Sequence, residues 1–166
     1  MCSRRRTIHE KAQVYLESTL FNYYFDEDRD AHADIVALFK EITNGTYEAY
    51  TSLYVIDELE DAPSEKRDKM IALIERYGIT VLSLSQEAEQ LADIYVEQGV
   101  IPLKYRMDGV HIAVAVVNDL DLIISMSFQH IVKRKTKFRT GSINAINGYQ
   151  PVEICTPMEV NDHENT

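Results

Sequence analysis

Short apolar runs alternate along this chain with segments in which apolar residues recur every three or four positions. Val14, Tyr15 and Leu16 form one such run, which is typical of a strand buried on both faces of a parallel sheet. Four apolar residues follow the spacing i, i+3, i+4 and i+7, which places them on one face of a helix; they are Ile35, Leu38, Phe39 and Ile42. Strands separated by helices predict an α/β fold with a central parallel sheet of four or five strands flanked by helices.

The same patterns place the individual elements. Strands are predicted at residues 13–17, 47–51, 80–84, 122–125 and 152–155. One helix is predicted to end near residue 44. Four more are predicted at residues 52–60, 63–78, 85–99 and 108–118. Residues 13–160 are expected to form one domain, because 166 residues is an ordinary length for a single domain. The polar segments 1–12 and 161–166 are expected to be flexible ends.

Composition excludes some classes of protein. The chain has 17 Lys and Arg against 27 Asp and Glu, so it does not resemble a protein that coats nucleic acid through a wholly basic surface. The two cysteines, Cys2 and Cys155, match no zinc-ligand spacing, which favours a reduced cytoplasmic protein. No uncharged run approaches the length of a membrane span, and no secretory signal follows the N-terminal arginines, so no membrane association is expected.

The candidate chemistry lies in carboxylates. The phosphate-loop, dinucleotide, zinc-protease and serine-hydrolase motifs are absent from the sequence. Glu17 directly follows the apolar run Val14-Tyr15-Leu16, at the carboxyl end of the first predicted strand where open α/β folds bind ligands, although an exposed strand-end acid is the simpler alternative. Asp108 opens the most apolar helix and has a helix N-cap as its alternative role. His111 lies one turn later and is predicted to be a hydrogen-bonded core residue rather than a ligand.

A further cluster of acids lies in the helix after the second predicted strand. Such clusters usually form a solvated helix face. Val55 and Leu59 mark the inward side of this helix, and Glu58 borders that side best. Glu58 is therefore the member of the cluster that is predicted to face the sheet.

Four short motifs carry a family resemblance. The first follows the opening strand, the second lies in the helix after the second strand, the third opens the apolar helix and the fourth follows the fourth strand. They are Tyr15-Leu16-Glu17-Ser18-Thr19, Asp57-Glu58-Leu59, Asp108-Gly109-Val110-His111-Ile112-Ala113 and Ser125-Met126-Ser127-Phe128-Gln129-His130-Ile131. Taken in order, they resemble the PIN-domain family of metal-dependent nucleases, which includes VapC-type toxins. The resemblance covers residues 13–160 and implies a PIN-like fold.

The resemblance also implies a catalytic metal site. Glu17, Glu58 and Asp108 would be its catalytic acids and metal ligands, with Ser127 at the fourth ligand position. Such a set of oxygen donors suits Mg²⁺ or Mn²⁺. The chain departs from the family pattern in two places, because Glu17 replaces the commoner Asp and Ser127 replaces Asn or Asp. A serine hydroxyl is short, so Ser127 is expected to reach a metal only through water.

The implied function is metal-dependent hydrolysis of RNA by the toxin of a toxin–antitoxin pair. RNA, an antitoxin protein and a second copy of the chain are the implied partners. The cations expected to contact RNA phosphates are Lys104, Arg106, Lys133, Arg134 and Lys137. The alternative is a catalytically weak or inactive PIN-fold module that binds protein or nucleic acid, which the serine at position 127 favours. An unrelated α/β phosphatase-like hydrolase would need a nucleophile for which the sequence has no motif.

Overall fold

The computed structural model describes residues 11–164, which form five strands and eight α-helices. The strands are β1 (Ala12–Leu16), β2 (Tyr47–Ser52), β3 (Thr80–Leu82), β4 (Leu122–Ile124) and β5 (Glu153–Cys155). The helices are α1 (Ser18–Tyr24), α2 (His32–Thr43), α3 (Leu53–Glu60), α4 (Ser64–Arg76), α5 (Gln86–Glu97), α6 (Arg106–Val117), α7 (Arg134–Ile146) and α8 (Pro157–Glu164). A single 3-10 turn at Leu103–Tyr105 precedes α6.

All strand pairs are parallel, and the sheet has the order β3-β2-β1-β4-β5. The central strand β1 places Leu16 opposite Ile124 of β4 and Tyr15 opposite Tyr50 of β2. Tyr15, Leu16 and Ile124 are fully buried, as expected of a sheet with helices on both faces. The predicted α/β fold with a parallel sheet is therefore confirmed.

Helices α1, α7 and α8 do not follow from the apolar pattern of the sequence. Helix α7 turns Thr136, Thr140 and Asn144 toward the core instead of apolar residues. Thr136 donates a hydrogen bond to the carbonyl of His130 at 3.0 Å, and Asn144 pairs with the buried hydroxyl of Tyr95. A helix that buries polar side chains gives no apolar periodicity, so the sequence showed only the basic run at its start.

The two chain ends that are predicted to be flexible fall only partly within the described residues. Residues 1–10 of the predicted N-terminal segment lie outside the described residues, and β1 begins at Ala12. Helix α8 extends to Glu164, so it includes residues that the sequence analysis assigned to the C-terminal tail. Across residues 11–164, no helix combines the length and the apolar character needed to cross a membrane.

Helix α6 is the most deeply buried helix and carries two residues of the candidate site. It packs closely against α5 and the segment that follows α5, because a Cβ at Gly109 would lie 3.5 Å from Tyr95 Cδ2 of α5 and 3.2 Å from Ile101 Cδ1. This contact leaves little room for any larger residue than glycine at position 109. The first two turns of α6 thereby bring Asp108 and His111 to the carboxyl edge of the sheet.

Candidate metal centre

Glu17 occupies the end of the central strand and is only 2% exposed. It is the N-cap of α1, and its Oε2 accepts hydrogen bonds from Thr19 N at 3.2 Å and Thr19 Oγ1 at 2.5 Å. The hydroxyl of Ser125 donates a third hydrogen bond to the same oxygen at 2.7 Å. These three donors hold the carboxylate rigidly and leave its other oxygen, Oε1, directed toward Ser18.

Glu58 extends from α3 toward the same point. Helix α3 begins with Ser52 as its N-cap and buries Val55 and Leu59, so the adjacent Glu58 is half-buried at the sheet edge, as the sequence predicts. Its Oε1 pairs with Nε2 of His111, and its Oε2 accepts a hydrogen bond from Ser18 Oγ at 2.6 Å. Both oxygens of Glu58 are therefore positioned by neighbours.

The hydroxyl of Ser18 lies between the two carboxylates. Its Oγ is 2.9 Å from Glu17 Oε1 and 2.6 Å from Glu58 Oε2. A hydroxyl carries a single hydrogen and can satisfy only one of these oxygens at a time. The Ser18 hydroxyl therefore holds Oε1 of Glu17 and Oε2 of Glu58 close to one point, where the two negative charges repel each other.

His111 is fully buried and links Glu58 to the core. Its Nδ1 lies 2.8 Å from the hydroxyl of Tyr15, which lies 2.7 Å from Ser52 Oγ. Burial by itself lowers the pKa of His111, but the hydrogen bond and charge of Glu58 outweigh it and leave the pKa raised. Burial likewise raises the pKa of Glu58, and its contacts with His111 and Ser18 reverse the effect and lower it. His111 is the hydrogen-bonded core residue that the sequence predicts.

Asp108 is the third residue of α6, one turn before His111. The N-cap position of α6 belongs to Tyr105, so Asp108 is not the helix N-cap that the sequence offered as an alternative. Burial raises the pKa of Asp108 to about 6, and the negative charges of Glu17 and Glu58 add to the effect. Among the described residues, the ligand atoms that lie within 4.8 Å of one another belong to Glu17, Glu58 and His111 and not to Asp108, so Asp108 interacts with the two glutamates through charge.

The donor set fits a hard divalent cation. One ligand atom each from Glu17, Glu58 and His111 lies within 4.8 Å of the others. Both nitrogens of His111 are already engaged by Tyr15 and Glu58, and neither has a lone pair to spare. A carboxylate oxygen has two lone pairs, so the oxygens of Glu17 and Glu58 can still bind a cation beside their hydrogen bonds. Carboxylates that crowd one point repel each other unless a cation is bound between them. The oxygen donors of this site therefore suit Mg²⁺ or Mn²⁺.

Ser125 is the site residue that sequence reasoning missed. It is fully buried directly after β4, and its hydroxyl accepts a hydrogen bond from Ser127 N at 2.9 Å while donating to Glu17. Ser127 thus supports Glu17 through its backbone and Ser125. The strand register carries a signal for this contact, because Leu16 is paired with Ile124 and the next residues are Glu17 and Ser125.

The predicted RNA-contacting cations differ in their surroundings. Arg106 forms an ion pair with Asp93 at 2.6 Å, and Lys137 lies 3.6 Å from a carboxylate oxygen of Glu159. The other three predicted cations are exposed to solvent; they are Lys104, Lys133 and Arg134. These three are better placed to contact a phosphate.

Two solved structures have a similar fold. The crystal structure of VapBC2 from Rickettsia felis, bound to a promoter DNA fragment, matches with a TM-score of 0.53 at 11% identity and covers 87% of this chain and 98% of the matched chain. The structure of VapC20 from Mycobacterium tuberculosis, a toxin that cleaves the sarcin–ricin loop, matches with a TM-score of 0.54 at 10% identity. That match covers 84% of this chain and 98% of the other.

No family model and no curated protein matches the sequence of this chain. The structural similarity covers nearly the whole length of the VapC chains. The chain therefore has a PIN/VapC-like domain fold, which confirms the fold that the four sequence motifs implied.

Proposed function

We propose that this protein is a metal-dependent ribonuclease and the toxin of a toxin–antitoxin pair. The observation that carries the proposal is the position of Ser18, whose single hydroxyl hydrogen faces two carboxylates. The VapC-like fold supports it, because one matched protein, VapC20, is described as a toxin that cleaves the sarcin–ricin loop. An antitoxin protein as partner and association into a homodimer are part of the same proposal.

The proposed metal ligands are Glu17, Glu58 and Asp108. When bound, Mg²⁺ or Mn²⁺ would polarise a phosphodiester and lower the pKa of a bound water. Glu17 is held for this role by Thr19 and Ser125, which use its Oε2 and leave Oε1 available. His111 orients Glu58 in the way that outer residues commonly orient metal-binding carboxylates.

The proposed RNA contacts lie at the start of α7 and just before α6. Lys133 and Arg134 are exposed at the N-terminus of α7, where the helix dipole disfavours positive charge. A phosphate would relieve this unfavourable arrangement, because it pairs with both the cations and the helix N-terminus. Lys104 is exposed on the turn that precedes Asp108. The overall negative charge of the protein is therefore compatible with local binding of an RNA backbone.

The proposal is tested by RNA cleavage with Mn²⁺, with and without EDTA. We expect the wild type to cleave RNA only when the metal is present. Asp108→Asn should lower cleavage about 100-fold, because it removes charge from the metal site. Asp57→Asn is the matched control, since Asp57 is an exposed acid on α3 beside Glu58. Cleavage that persists in EDTA, or equal loss in both variants, would contradict the proposal.

A second candidate function is a PIN-fold module that binds without cleaving. The serine at position 127, where the family pattern has Asn or Asp, is the observation that favours it. This function predicts stoichiometric Mn²⁺ binding by calorimetry with no cleavage of RNA by the wild type.

Ser127 provides a separate prediction. Ser127→Asp adds a longer acidic side chain next to Ser125 and is expected to tighten Mn²⁺ binding about 10-fold and to raise cleavage. The same variant should lower the stability of the metal-free protein through charge repulsion. Calorimetric titration and thermal unfolding measure both effects, and Ser142→Asp on the exposed face of α7 is the control. Unchanged affinity in Ser127→Asp would remove position 127 from the metal site.

A further inference from the structure

The loop at residues 126–133, between β4 and α7, is firmly anchored. The backbone N–H of Met126 donates to Thr19 Oγ1 at 2.9 Å, next to Glu17. The carbonyl of Ser127 accepts hydrogen bonds from Ile131 N at 3.1 Å and Val132 N at 2.8 Å. Ile131 is fully buried and fastens the middle of the loop to the core. The loop is therefore held in one position at the edge of the candidate metal centre.

Phe128 points outward from this fixed loop. Its side chain is 53% exposed, although burial of a phenylalanine ring stabilises a fold by about 2 kcal/mol. It directly follows Ser127, whose N–H binds the Ser125 hydroxyl that in turn binds Glu17. The fold thus leaves an aromatic ring exposed beside the candidate metal centre.

Exposed cations lie in the segments next to this loop and before α6. Lys133 and Arg134 follow the loop, and Lys104 lies on the 3-10 turn before α6. The two segments are joined by a ring stack between Tyr105 and His130, with ring centroids 3.8 Å apart and planes inclined by 24°. The stack fixes the exposed ring and the cations relative to each other.

The exposed aromatic ring and the nearby cations, beside the candidate metal centre, could together bind one nucleotide. Cations contact the phosphates, and an aromatic ring stacks on the base. A base within a duplex has both faces covered by its neighbours, so only an unpaired base can stack on a protein ring. We propose that Phe128 is a positioning residue that stacks on one base of the bound RNA beside the candidate metal centre. This inference rests on the proposed ribonuclease function.

The test is a binding experiment that does not depend on cleavage. A single-stranded oligoribonucleotide with 2-aminopurine at successive positions is titrated with the protein in EDTA at low salt. We expect 2-aminopurine fluorescence to be quenched at one position when the wild type binds. Phe128→Leu should lose this quenching and bind about 10-fold more weakly, whereas Phe128→Trp should retain both.

Ile146→Ala is the control variant. Ile146 is 85% exposed at the opposite end of α7, about 18 Å along the helix axis from Arg134. Its removal tests whether any exposed apolar side chain supports RNA binding, and we expect no change in affinity. A perfect RNA duplex of the same sequence should bind wild type and Phe128→Leu equally, because its bases are not accessible.

Failure of the inference and failure of the proposed function have different signatures. A wild type that cleaves RNA with Mn²⁺, and whose affinity and quenching are unchanged in Phe128→Leu, overturns the stacking role alone. A wild type that neither cleaves nor binds the oligonucleotide overturns both. Equal weakening by Phe128→Leu and Ile146→Ala also overturns the inference, because it assigns the effect to exposed apolar area in general.

Discussion

Replacing Glu17 by Gln is expected to abolish metal binding and RNA cleavage without unfolding the protein. The substitution keeps the shape of the side chain and removes its negative charge. A carbonyl oxygen at the Oε2 position can still accept from Thr19 and Ser125. The amide nitrogen then faces Ser18 and Glu58 and can donate to the oxygens that a carboxylate repels. We expect at least about a 100-fold loss of cleavage together with equal or higher thermal stability.

This combination of lost function and retained stability identifies the role of Glu17. A purely structural N-cap predicts the opposite pattern, with lower stability and unchanged metal affinity. Calorimetric Mn²⁺ titration, an RNA cleavage assay and thermal unfolding of the same samples separate the two. Glu60→Gln, an exposed acid on α3, is the matched control and should behave as wild type.

Tyr15→Phe, which removes one buried hydroxyl group, is expected to cause a large loss of stability. The substitution removes a fully buried hydroxyl that contacts both His111 Nδ1 and Ser52 Oγ. Both partners then remain buried without this hydrogen bond, and an unsatisfied buried polar group costs about 1–3 kcal/mol. We expect the free energy of unfolding to fall by about 2–4 kcal/mol.

Urea unfolding measures this loss, with Tyr24→Phe as the control. Tyr24 also donates or accepts one hydroxyl contact, to Tyr77 at 2.7 Å, but its side chain is only partly buried. Its substitution should cost less than about 1 kcal/mol. A loss in Tyr15→Phe no larger than that in Tyr24→Phe would contradict the stabilising role of the buried contacts from Ser52 to His111.

The sheet follows from the sequence because its strands are buried on both faces. Such strands appear as continuous apolar runs, and the predicted strands at residues 13–17 and 47–51 agree with β1 and β2 to within a residue. Helices α1 and α7 do not follow in the same way. Helix α1 has only seven residues, and α7 buries threonine and asparagine where an apolar pattern would be recognised.

The sequence predicts the individual acids of the candidate site, but it does not predict the hydrogen bonds that link them. Glu17 and Glu58 follow from their positions at a strand end and on a helix face. The role of Ser18 does not follow from the sequence, because its contact with both carboxylates depends on the packing of α1 against α3. The hydroxyl of Ser125 was missed since a serine after a strand carries no distinctive pattern.

The hydrogen bond from Ser125 to Glu17 joins residues 108 positions apart in the chain. Strand β4, which brings Ser125 to Glu17, is made long after β1, β2 and α3. Contacts between such distant segments form late in folding, and a growing chain emerges N-terminus first. A nascent chain therefore carries Glu17, Glu58 and Asp108 before it has the strand that holds Glu17 in place. For the proposed ribonuclease, this order of synthesis delays the capacity to cut RNA until Ser125 has been made and β4 has paired with β1.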